Sequence, residues 1–212
     1  MASDMKGPLR PTLYRFKLGA FEMMNVLDSF AARGRLAGGL GGGAAPGEVA
    51  ELARANNIDP DRFEHPFVPV VVNTRKEVVL FDTGNGTLAR DNEAMKGRVP
   101  DGHLVERLGR AAMANEALHA GYKPEDIDVI CITHCHPDHI GGNMSGGKVV
   151  FPNARYVVAA AEFDYWKKNE GISDARKPTQ MQFTKLMAPL ADKTTFIKPG
   201  DEVVSGIRAV DA

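Results

Sequence analysis

The chain has 212 residues, 43% of them hydrophobic, with 26 Lys and Arg against 27 Asp and Glu and a formal net charge of -1. This is ordinary globular composition, long enough to bury a sizeable core. The balanced, interspersed charge argues against a nucleic-acid binder held by phosphate contacts. No apolar run approaches the roughly 20 residues of a membrane helix. The opening MASDMKGPLRPTLYRFKLG has no apolar h-region. The expectation is therefore a cytoplasmic chain with no membrane and no nucleic-acid partner, a trimmed signal peptide being the alternative.

Residues 12–19 and 21–27 flank Gly19-Ala20 and read as a β-hairpin. The Ala- and Gly-dominated stretch 31–47 reads as a flexible connection. No Gly-Lys-Ser/Thr follows its glycines, so it is not a phosphate loop. Residues 47–57 have the spacing of a short amphipathic helix. The β-rich runs 67–72 (FVPVVV) and 77–81 (EVVLF) predict a second hairpin, and the second run stops at the turn signal Asp82-Thr83-Gly84-Asn85-Gly86. A helix is predicted over 103–120, with Gly121 as its C-cap and Pro124 as a stop.

Ile127–Thr133 (IDVICIT) then reads as a buried strand that runs into His134-Cys135-His136-Pro137-Asp138-His139-Ile140-Gly141-Gly142. Short strands follow at 148–151 and 155–158, helices at 160–168 and 179–190, and strands at 194–197 and 207–210. The alternation implies a layered α/β domain. Cys131 and Cys135, if joined by extended chain, lie roughly 13 Å apart at about 3.3 Å per residue. A disulfide needs less than about 7 Å, so both are expected as free thiols, which suits a reducing compartment.

Three histidines and an aspartate within six positions at a strand end are hard to explain as packing, because unpaired ionisable groups are costly to bury. In extended backbone, positions i and i+2 share a face, so His134 and His136 converge while Cys135 faces away. Pro137 stiffens the turn, and Asp138 and His139 are offset toward a neighbouring position. Gly141 and Gly142 leave room for a close approach of this loop. Imidazole and carboxylate donors suit Zn²⁺ first, with Mn²⁺, Fe²⁺ or Co²⁺ as alternatives.

The run HCHPDH at 134–139 resembles the His-x-His-x-Asp-His signature of the metallo-β-lactamase-fold hydrolase superfamily. VVLFDTGNG (78–86), ITHCHPDHIGG (132–142) and FPNARYVV (151–158) are similar to the family's segments in order and spacing. The stretch from Asp101 to Gly142 is similar to lactonase-like and methyl-parathion-hydrolase-like members. The resemblance covers the chain from about residue 66 onward and, more loosely, the N-terminal hairpin. His136 stands where the flavodiiron branch has Glu, which argues against that branch.

The resemblance implies an αββα sandwich with the metal site at one edge. It implies that His134 and His136 serve one metal, that Asp138 and His139 serve the other, and that Asp82 orients the ligands from behind. Asp138 is also the residue expected to act in catalysis, and Asp82 could equally be a turn residue. Two divalent ions roughly 3.5–4 Å apart would hold a water and lower its pKa toward 7 for attack on a small lactone, ester or phosphotriester. The alternatives are a glyoxalase-II-like thioesterase and a catalytically silent half-domain. Trp166 and Phe183 are candidate pocket walls, although an apolar helix face packing on the core explains them equally well. A small-molecule substrate is implied, and a homodimer stays open.

The family also carries a later Gly-His-Thr-Pro-Gly-His-like loop, a bridging Asp and a last His, none of which has a counterpart within residues 1–212. The expectation is therefore a single domain over 1–212 comprising the N-terminal half of the fold and the start of the second half, with the C-terminal part missing. Such a form is expected to be incomplete as a catalyst. His65, His103 and His119 match no family role.

Overall fold

The computed structural model describes residues 11–34, 36, 43–45, 47–97, 99–109, 121–168 and 170–211. The first hairpin forms from β1 (Leu13–Leu18) and β2 (Phe21–Val26). β3 (Ser29–Gly34) follows directly, so the first part of the stretch expected to be a flexible connection is strand; residues 35, 37–42 and 46 lie outside the described residues. β3 pairs with β4 (Phe63–Phe67) in a separate two-stranded ribbon, and α1 (Glu48–Ala55) lies between them in sequence.

The run FVPVVV is not one strand. Pro69 has no N–H to donate to a ladder, and the chain crosses there from the ribbon to β5 (Val70–Asn73). β5 turns through residues 74–77 into β6 (Val78–Phe81). The short α2 (Leu88–Asp91) and α3 (Leu104–Gly109) come next. The rest of the helix predicted over 103–120 lies outside the described residues. β7 is only Val129–Cys131, because Ile127 closes a 3₁₀ turn over Pro124–Asp126.

After α4 (Pro137–Ile140), the strand predicted at 148–151 is a small hairpin, β8 (Met144–Ser145) with β9 (Lys148–Val149). Gly146 and Gly147 turn it with φ of 54° and 76°, the doubly left-handed turn that suits a two-residue hairpin. β10 (Arg155–Ala159) leads into α5 (Ala160–Lys168). α6 (Lys177–Leu186) ends earlier than the periodicity predicts, because Pro189 cannot continue an α-helix; a 3₁₀ turn carries the chain over Ala188–Lys193. β11 (Thr194–Ile197), β12 (Glu202–Val204) and β13 (Ile207–Arg208) complete the described chain. β12 is not apparent from the sequence pattern, and the last strand is shorter than 207–210. These two pair only with each other.

The main sheet has seven strands in the order β1-β2-β5-β6-β7-β10-β11. Its first half is antiparallel, while β6, β7, β10 and β11 run parallel. Strand alternation divides the buried residues between two faces. Leu80, Ile130, Tyr156 and Val158 pack with Leu104, Leu108, Phe163 and Phe183. Val79, Val129, Cys131 and Val157 pack with Val203 and Val204 of the β12–β13 ribbon. Burial on both faces is why these strands read as continuous apolar runs.

A buried carboxylate ties the loops together at one end of the sheet. Asp28, between β2 and β3, accepts from the Asn85 N–H and the Ser29 hydroxyl through Oδ2, both at 2.9 Å. Its Oδ1 accepts from the Leu104 N–H at 2.9 Å. Burial pushes its carboxyl pKa above the usual range, against the pull of these donors. One side chain thus fastens the turn after β6 to the start of α3.

Candidate metal centre

β6 and β7 are parallel neighbours with Phe81 opposite Cys131, so the residues that follow them emerge side by side. Asp82 follows β6 and the histidine run follows β7, which places both at the C-terminal end of the parallel strands, the usual ligand edge of an α/β sheet. Asp82 takes a φ of 58°, rare for a non-glycine residue. Three bonds hold it there: its N–H donates to Cys131 O at 3.0 Å, Oδ1 accepts from the Thr133 N–H at 2.8 Å, and Oδ2 accepts from the Thr133 hydroxyl at 2.9 Å.

His136 is extended (φ -72°, ψ 153°) and Pro137 opens α4, where a missing N–H costs nothing. The turn brings Asp138 and His139 back toward Asp82. His139 Nδ1 lies 2.8 Å from Asp82 Oδ2, and its Nε2 lies 3.4 Å from Asp138 Oδ2. The His134 ring is 4.6 Å from His136 and 3.9 Å from His139, centroid to centroid. The His134 and His136 rings thus meet in front of the loop, while Cys135 is fully buried in the core behind them.

Charge is divided unevenly in this cluster. Burial disfavours the His139 imidazolium, but Asp138 and Asp82 outweigh it and raise its pKa to about 9. Burial and the neighbouring imidazoles of His139 and His136 lower the pKa of His134. Asp138 is held below the usual carboxylate range, burial being outweighed by its bond to His139.

Imidazole and carboxylate are donor types that suit a divalent cation, and one pair here stands at ligand spacing. With Asp82 on Nδ1, His139 presents Nε2 toward Asp138, the arrangement in which a carboxylate fixes the tautomer of a metal-binding imidazole. Two zinc ligands at about 2.0–2.1 Å and a tetrahedral angle stand roughly 3.3 Å apart; the His139 Nε2 to Asp138 Oδ2 separation is 3.4 Å. Among the described residues no three His, Cys, Asp or Glu side chains form a complete ligand set. The arrangement is one of paired donors.

The backbone of this loop is seated on the turn after β6. Thr83 N–H donates to His139 O at 2.7 Å, and the Gly142 N–H donates to the Thr83 hydroxyl at 3.1 Å. A Cβ on Gly141 would stand 2.4 Å from Asn85 O, and one on Gly142 2.4 Å from Thr83 O. The DTGNG and HIGG segments therefore meet backbone to backbone.

A cleft of about 130 Å³ opens beside the cluster. Asp82, Asp138 and His139 form one wall, and the segment His65–Pro69 forms the other. His65 stacks on Phe67 at 4.8 Å, which steadies that wall. The sequence gives no sign of this role; only the ribbon's path across the sheet edge brings His65 there. Trp166 is buried against His136, ring centroids 5.9 Å apart. Phe183, 1% exposed, packs on Phe163 at 5.0 Å and belongs to the helix–sheet core rather than to an open wall.

The two cysteines are free and face different cores. Burial, followed by the charge of Asp82, pushes the Cys131 thiol up to about 12. Burial, followed by Glu162, raises Cys135 further. Since the thiolate is the reactive form, iodoacetamide at pH 8 is expected to label both thiols rapidly only after unfolding. Rapid labelling of either in the native state, followed by mass spectrometry, would contradict this placement.

An N-acyl homoserine lactonase of Bacillus cereus is 30% identical over 102 residues, 46% of this chain and 41% of that protein. A second, from Bacillus thuringiensis, is 26% identical over the same length. The matched stretch thus spans about two fifths of these curated relatives. Among solved structures, AidC, a dizinc quorum-quenching lactonase, superposes with a TM-score of 0.71 at 22% identity, covering 91% of this chain and 63% of its own. The hydrolase AbOPH gives 0.70 at 22% identity over 92% of this chain and 64% of its own. These show a shared fold. Among the described residues no helix is long and apolar enough to cross a membrane. The sequence profile of the metallo-beta-lactamase superfamily matches residues 68–203, from the crossing into β5 through β12, and the chain belongs to that superfamily.

Proposed function

We propose that the protein is a metal-dependent hydrolase of small lactones, with N-acyl homoserine lactones as the first substrates to test and carboxylic esters and phosphotriesters after them. The observation that carries this reading is His139 held between Asp82 and Asp138, with Nε2 and Oδ2 at zinc-ligand separation. The curated lactonase relatives support the substrate class. His134 and His136 would hold one divalent cation, and Asp138 with His139 a second, zinc being the first choice. When bound, such ions supply Lewis acidity and an activated water at neutral pH.

The chain's own residues do the positioning. Asp82 takes the His139 Nδ1–H and so turns Nε2 toward Asp138, where the second ring proton that the two carboxylates favour would give way to a bound cation, and Thr133 keeps Asp82 in place. The low pKa of His134 leaves its ring neutral and able to donate a lone pair. The cleft between Asp138 and the His65–Pro69 wall admits a small ring beside the donors.

The test is hydrolysis of an N-acyl homoserine lactone before and after chelation. Turnover that disappears with the metal and returns with added Zn²⁺ is the expected result. Turnover unaffected by complete metal removal would overturn the reading. Faster hydrolysis of thioesters than of lactones would move the assignment to a glyoxalase-II-like enzyme.

A further inference from the structure

The second histidine of the run depends on a residue outside it. Glu162, on the first turn of α5, points one carboxylate oxygen at two donors. Its Oε1 accepts from the Cys135 N–H at 2.7 Å and from the Trp166 Nε1–H at 2.8 Å. The first belongs to the peptide that joins His134 to Cys135, one residue ahead of His136. The second belongs to the ring that packs edge-on against His136 at 5.9 Å. Glu162 and Trp166 are four apart on one helix and so share a face. The indole is further fixed by Tyr165, 4.9 Å away, and its backbone carbonyl accepts from Gln180 Nε2 at 3.3 Å, tying α5 to α6.

We propose that Glu162 is a positioning residue that sets His136 for metal binding, acting through the Cys135 peptide on one side and the Trp166 ring on the other. This rests on the metal-centre reading above. His136 is exposed and lies between two rings, those of His134 and Trp166. An exposed imidazole held only by its own backbone would sample its rotamers freely. The charged acceptor restrains both the backbone ahead of His136 and the ring beside it, and bonds to an ionised acceptor are the stronger kind. Cys135 is correspondingly a fixed point rather than a reacting group.

The arrangement supplies its own reporter, since Trp166 is the single tryptophan of the chain. Metal entering at His136 is expected to change Trp166 fluorescence. The experiment titrates the metal-free full chain with Zn²⁺, reading both Trp166 emission and competition with a chromophoric chelator. Loss of a group that orients a ligand costs about 10–100-fold in metal affinity, and Glu162→Ala is expected to show that loss with a muted fluorescence response. Glu162→Gln keeps an acceptor oxygen and is expected to recover most of the affinity. Trp166→Phe, read by competition alone, keeps the ring but loses its N–H and is expected to fall between the two.

A merely structural Glu162 would lower the melting temperature and leave zinc affinity unchanged. Wild-type affinity in folded Glu162→Ala overturns the proposal. If Glu162→Ala does not fold, equal affinities of wild type, Glu162→Gln and Trp166→Phe overturn it. A wild-type chain with no Zn²⁺ response in either readout overturns the metal-centre reading itself, a different outcome from binding that ignores Glu162.

Discussion

In a form of the protein that carries the family's complete ligand set, replacing His136 or Asp138 with alanine is expected to reduce lactone hydrolysis to background and to remove bound metal, while the fold survives. His136 is exposed and Asp138 half-buried, and neither belongs to the hydrophobic clusters. Truncating exposed His136 is expected to alter stability by no more than about 0.5 kcal/mol, whereas Asp138→Ala also removes a partner of His139 and is expected to cost about 1–3 kcal/mol, still compatible with folding. The chemical loss is large because, among the described residues, no second nucleophile is poised to take over. Cys135 is buried behind the loop, with its N–H on Glu162 and its thiol pKa raised by burial. Cys135→Ala is therefore expected to cost about 1 kcal/mol of stability and little of kcat/KM. The measurement is kcat/KM on a lactone and ester panel, with metal content and circular dichroism on each variant. If Cys135→Ala abolishes turnover with metal still bound, the metal-centred account fails and a thiol reaction must replace it.

The second large effect falls on a glycine. Gly141 sits at φ -59° and ψ -32°, a conformation open to any residue, so alanine there is not strained by its own backbone. The obstacle is the neighbouring turn: a Cβ would lie 2.4 Å from Asn85 O and 2.7 Å from Gly84 O. Backbone atoms cannot swing aside as a side chain can. Gly141→Ala is expected to destabilise the chain by about 3 kcal/mol, the upper end of ordinary overpacking. For a chain of this size that is roughly 6–12 °C in Tm.

Gly146 supplies the control. It has a φ of 54° and nothing within 4 Å of an added methyl, so Gly146→Ala meets conformational strain alone. That costs about 1–2 kcal/mol. Denaturant midpoints of the metal-free proteins separate the two, and an equal or smaller loss at Gly141 would show that the two turns are not locked together. Zinc affinity should fall with Gly141→Ala as well, since moving this contact moves α4 and with it Asp138 and His139.

Much of the centre was legible because its information is local. The His134 and His136 rings meet 4.6 Å apart across one intervening residue, although β7 itself ends at Cys131 and its alternation does not run on to Cys135, and Pro137 turns the chain by its fixed φ; both effects act within a few residues. The backbone contact at Gly141 and Gly142 was legible for a related reason, since two adjacent glycines beside a turn signal announce a close approach. The apolar run of β7 likewise carried its own evidence of burial. Where proline interrupts a run, as at Pro69 and Pro189, the missing N–H rather than the hydrophobic pattern sets the element's end.

Other features belong to tertiary structure alone. Asp28 reads as a polar residue in a loop, yet it is the buried knot between the turn after β6 and α3, because its partners are Asn85 and Leu104. Glu162 looks like an ordinary helix-surface acid until the path from β10 into α5 sets it under the Cys135 peptide. His65 reaches the cleft only because the β3–β4 ribbon folds over the sheet edge. Phe183 and Trp166 share an aromatic pattern, and packing alone decides that one fills the core and the other touches a histidine. The chemistry-bearing run and its donors follow from spacing that acts within a turn or a strand, so they can be read along the chain. The supports behind those donors each join residues far apart in the chain, so they exist only once the sheet, the ribbon and α5 have come together.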